Sequence, residues 1–122
     1  MIFKWFANRG EREAKQLNRD APLIIEQALD TLAESRLREV AETVGEHIPR
    51  AHKIYGQTPI DYKRAIADYR RLHKDARRNN DQMALSAMTL VIIYLRAEVA
   101  GPAADPARAA IDTFVAEPLK FA

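Results

Sequence analysis

Apolar positions in this chain recur at intervals of three and four residues, the spacing that places side chains on one face of an α-helix. No stretch alternates apolar and polar residues for long enough to build a sheet, so the pattern predicts an all-α protein. Turn signals divide it into about five helices, forming a small bundle around a central antiparallel hairpin. A first helix is expected within Ile2 to Asn18, weakened at Gly10 by about 1 kcal/mol relative to alanine. Asp20 as N-cap and Pro22 in a first turn then predict a long helix running toward Ile48. Its stripe is Leu29, Ala33, Leu37, Val40, Val44 and Ile48. Gly45 and Pro49 are expected to end or kink it, because proline has no N–H for the helical ladder. A short turn through Ile54 and Tyr55, closed by Gly56, should follow.

The clearest start signal comes next. Thr58 as N-cap, Pro59 at the first helical position and Asp61 two residues later approximate a capping box and open a helix from Pro59 to Asn79. Asn79, Asn80 and Asp81 break it, since short polar side chains compete for nearby backbone groups. So short a link favours an antiparallel partner, Gln82 to Ala100, stopped by Gly101 and Pro102. Asp105 and Pro106 restart a short helix carrying Ala107, Ala110, Ile111, Phe114 and Val115, which Pro118 closes.

The two hairpin helices differ in their faces. At about 100° per residue, Tyr62, Ala65, Ile66, Tyr69, Leu72 and Ala76 gather on one side of the first, toward the core. Lys63, Arg64, Arg70, Arg71, Lys74, Arg77 and Arg78 fill an adjoining arc of about 140°, with Asp61, Asp68 and Asp75 on the opposite flank. The second helix is apolar nearly all round, with a thin polar strip of Gln82, Ser86, Thr89 and Arg96. Such a helix must be covered nearly all round, either at the centre of the bundle or in a subunit interface.

Composition fits one folded unit. The 122 residues, 48% hydrophobic and 30% charged, lie near the globular average, so residues 1–122 are expected to form a single helical domain. Residues 1–19 make an aromatic and basic segment at its periphery. Ile2, Phe3, Trp5 and Phe6 surround Lys4 there, and suit docking on the protein's own core or a partner, or a membrane interface. No signal-peptide h-region follows them, and the chain has no cysteine, which fits a cytoplasmic protein. The longest uncharged run, Gln82 to Leu95, is short of the roughly 20 residues needed to cross a bilayer, so no transmembrane segment is expected.

Charge is distributed unevenly. Pro49 to Asn80 holds nine Lys/Arg against three Asp/Glu, while Ala21 to Ile48 holds two against six. The basic face therefore admits three readings: a solvated surface, pairing with the acidic helix inside a subunit or across a dimer, and contact with nucleic-acid phosphates or anionic lipid heads. Against nucleic acid stand the small net charge of +2 and the lack of interleaved aromatic residues.

Recognisable chemistry is sparse. His47, His52 and His73 occur in no Glu-x-x-His or His-Glu-x-x-His pattern, and His47 and His52 are separated by Pro49. Histidine phosphotransfer bundles place lysine three residues after the active histidine, where this chain has Arg50, Tyr55 and Ala76. A P-loop, a nucleophile elbow and a dinucleotide-binding glycine pattern are also lacking. No catalytic residue, metal or cofactor is assigned, and enzyme activity is not expected. The expectation is a non-catalytic helical interaction module that pairs with itself as a homodimer or with another helical protein. Its candidate interface is Phe3, Trp5, Phe6, Met83, Met88, Ile92 and Ile93. The alternative is binding of nucleic acid or an anionic surface through the basic face.

Overall fold

The computed structural model of the protein describes residues 2–55 and 58–120, with the side chains of 2–9, 54, 55, 59 and 60 outside that description. It is all-α, with five helices: α1 (Ile2–Thr31), α2 (Glu34–Tyr55), α3 (Pro59–Arg78), α4 (Gln82–Ala100) and α5 (Asp105–Ala116). A single 3-10 turn, Pro102–Ala104, links the last two.

The hairpin forms as its end signals dictate. The Thr58 hydroxyl accepts from the Asp61 amide at 3.2 Å and donates to the Asp61 carboxylate at 2.7 Å. At the other end of α3, the Asp81 amide donates to the Ala76 carbonyl and the Asn80 amide to that of Arg77. This paired closure needs a left-handed residue, and Asn80 supplies it at φ 56°. Asp81 then caps α4 by accepting from the Ala84 amide. Gly101, at φ 88°, ends α4 in a conformation that a Cβ would strain.

Helix α4 is the axis of the bundle and packs against α1, α2, α3 and α5. It is long and apolar enough to cross a membrane by length and composition, and 39% of that stretch is buried inside the bundle. None of residues 83–100 is fully exposed, and Leu90, Val91, Leu95 and Ala97 are completely enclosed. Around them lie Leu17 and Ala21 of α1, Val40 and Val44 of α2, Ala65 and Tyr69 of α3, and Ile111 and Phe114 of α5.

The first half of the chain departs from its sequence pattern. Asp20 and Pro22 do not open a helix; α1 runs through them, and the break falls at Leu32 and Ala33 instead. A proline inside a helix costs about 3 kcal/mol. Leu17, Ala21, Ile25 and Ala28 are buried on both sides of Pro22, and each large side chain buried recovers about 1.5–3 kcal/mol. Packing thus outweighs the local signal. Ala33, assigned to the apolar stripe, is exposed in the link that lets α2 turn away from α1.

Gly45 and Pro49 likewise lie inside α2, and Ile54 and Tyr55 extend it rather than forming a turn. Gly56, the expected close of that turn, lies outside the described residues. Gly45 has a packing role: a Cβ there would stand 3.0 Å from Val115 Cγ1, so the glycine lets α2 approach α5 closely.

Helix α5 is capped from a distance. Its own N-cap, Ala104, offers no side-chain oxygen. Asn18 of α1 supplies one: its Oδ1 accepts from the Ala107 amide at 3.0 Å while its Nδ2 donates to the Ala103 carbonyl at 3.0 Å. Farther toward the start of α1, Glu13 pairs with Arg96 of α4 at 3.1 Å. Arg108 of α5 bonds Asp105 on its own helix and reaches Glu98 of α4 at 3.4 Å.

Candidate interaction surfaces

Two histidines at the α2–α3 contact have a structural task. Tyr62 and Tyr69, seven residues apart on α3, are buried as rings, and a buried hydroxyl without a partner is costly. His47 Nδ1 lies 3.0 Å from Tyr69 Oη, and His52 Nδ1 lies 2.8 Å from Tyr62 Oη. Both pairs meet edge to face, with centroids 5.5 Å apart. Burial lowers the His47 pKa below its ordinary value, Arg50 lowers it further, and Glu46 opposes. Burial likewise raises that of Tyr69. Among the described residues no three His, Asp or Glu side chains come together as a metal set.

The basic face remains open. Lys63, Arg64, Arg70, Arg71, Lys74, Arg77 and Arg78 are all exposed. Arg71 pairs with Asp68 on its own helix, and among the described residues no ion pair joins α3 to α2. The expected pairing of the basic helix with the acidic stretch 21–48 thus has no salt bridge between α2 and α3 among the described residues. Three cations approach one another where α1, α3 and α4 meet. Lys63, Arg70 and Arg96 line a groove of about 340 Å³ over Ile66 and Val99, with Glu13 as its one carboxylate.

The candidate apolar interface is divided. Ile93 and Met88 are 4% and 5% exposed and belong to the core, Met88 with one edge on a groove, and Ile92 is half-buried on another face of α4. The side chains of Phe3, Trp5 and Phe6 lie outside the described residues. Met83 and Met88 line a groove of about 460 Å³ between α2, α3 and the start of α4. Val40, Leu72 and Ala87 extend its apolar lining; Glu39, Thr43, His47, Asn79 and Asp81 contribute its polar groups.

Leu72 corrects the reading of α3, because it is 47% exposed rather than in the core. It stands at the edge of the apolar arc, where α2 does not reach over it. That edge position is the available sequence signal for an open groove. The His–Tyr pairs have none, because they join residues 22 and 10 positions apart.

The chain matches no protein-family model, no curated protein and no solved structure.

Proposed function

We propose that the protein is a non-catalytic helical interaction module whose contact surface is the groove between α2, α3 and α4. The observation that carries this reading is Leu72, a large aliphatic side chain left half in water beside Met83 and Met88 in a concave site. Methionines adapt their shape to an apolar partner, and an apolar floor edged by a few polar groups is the usual form of a binding groove.

Nile red, a neutral dye that brightens in apolar sites, tests the groove in dilute solution. The native chain should bind it at one saturable site, and Leu72→Lys should abolish binding while leaving the helical circular-dichroism melt unchanged. Failure of the native chain to bind the dye, or equal binding by the variant, would overturn the reading.

A second reading has its own observation. Six of the seven basic side chains of α3 make no ion pair among the described residues, and two of them converge with Arg96 on the smaller groove. Unpaired cations on one helix face favour a phosphate-bearing or otherwise anionic surface.

A further inference from the structure

We infer that the α2/α3/α4 groove receives the aromatic and basic first turns of α1 from a second copy of this chain. The inference rests on reading that groove as an interaction surface, and names its occupant.

The groove asks for a ligand of mixed character. Its floor is apolar through Leu72, Met83 and Met88, while two of its polar groups, Glu39 and Asp81, are carboxylates. Asp81 commits one oxygen to the Ala84 amide, and a carboxylate retains further acceptor sites. The complement is therefore an apolar group with a cation beside it.

The start of α1 has that composition. Ile2, Phe3, Trp5 and Phe6 supply the apolar part, and Lys4, with Arg9 one or two turns on, supplies the charge. The aromatic residues there include the chain's only tryptophan, and aromatic anchors filling pockets dominate the energetics of interfaces.

The described contacts of α1 lie on another face of α4. Helix α1 meets α4 through Glu13 and Arg96. On a helical wheel Arg96 lies about 150° from the centre of Met83, Ala84, Ala87 and Met88, the residues through which α4 enters the groove. A second copy can present its α1 there, and a two-fold axis makes the exchange reciprocal, each chain both donating and receiving.

The sequence supplies two reporters on the intact chain: Trp5 is its only tryptophan, and Met1, Met83 and Met88 are its only methionines. Tryptophan emission and 13C-methyl methionine spectra are recorded with the sedimenting mass from sub-micromolar to millimolar concentration. With rising concentration the mass should double from 13.8 kDa, Trp5 emission should move to the blue, and the Met83 and Met88 methyl signals should shift with the same midpoint. Leu72→Lys should raise that midpoint by about tenfold or more. Lys4→Glu should also raise it, and adding Glu39→Lys to that variant should restore part of the loss.

Three outcomes overturn the inference. Methyl signals that move while Trp5 emission stays fixed mean that another segment fills the groove, and the groove reading survives. A doubled mass with stationary Met83 and Met88 signals means that the copies meet elsewhere and rejects the second copy as the groove's occupant. A chain that stays at 13.8 kDa at millimolar concentration rejects the second copy, and Nile red then decides the groove independently.

Discussion

His47 and His73 hold pKa values below the ordinary 6.5, in both cases first through burial and then through a neighbouring arginine, Arg50 or Arg77. The unfolded chain therefore binds protons that the folded chain refuses, and the sign of the linkage follows. Their contribution to stability is fully present above about pH 6.5 and is lost as pH falls from there through the folded-state values. Urea midpoints should accordingly decline between about pH 7.5 and about pH 5. His73→Gln should flatten that decline, and His47→Gln should flatten it too while lowering stability at the upper end of the range, because Tyr69 loses its partner. A decline of equal slope in both variants would assign the effect to other groups.

At the level of elements, the Asn18 contacts bear on how α5 begins. Asn18→Ala removes the oxygen that caps the Ala107 amide and the donor to Ala103, and should cost about 1–2 kcal/mol, read from chemical denaturation. Asn18→Asp keeps the acceptor and should lose less. The sequence displays α5 through Asp105 and Pro106 yet gives no hint that its cap comes from α1, because the two partners are 89 positions apart. The same division holds elsewhere. Thr58, Asn80, Asp81 and Gly101 act on their own backbone, so the hairpin ends are legible from sequence. Pro22 and Pro49 are overruled by side chains buried on either side of them, and Gly45 answers to Val115 on another helix. Of the candidate interface, Met83 and Met88 are visible as part of an apolar helix. The separation of Met83 from Ile93 depends on which neighbour covers which face, and periodicity does not contain that information.

Across the whole molecule, charge is segregated without being neutralised between helices α2 and α3. If the open cations of α3 serve an anionic surface, binding to mixed-sequence DNA and RNA should appear at low salt and weaken steeply as salt rises. Replacing Arg70, Arg71, Lys74, Arg77 and Arg78 together with glutamine should reduce the slope of log affinity against log salt by about one for each phosphate that is no longer neutralised. Absence of binding by the native chain at low salt would leave the face as a solvated surface. The groove and the basic face are separate features, so Leu72→Lys should leave this salt-dependent binding intact.

The link from Asn18 to Ala103 and Ala107 also orders events in time. The α3–α4 hairpin can close from neighbouring sequence, whereas α1 finds its contacts on α5 only by closing a loop of more than 80 residues. On a growing chain, α1 waits for α5 before its second half is fully covered. The apolar residues Leu17, Ala21 and Ile25 pass that interval in water, the period in which a chain of this topology is most open to association with its neighbours.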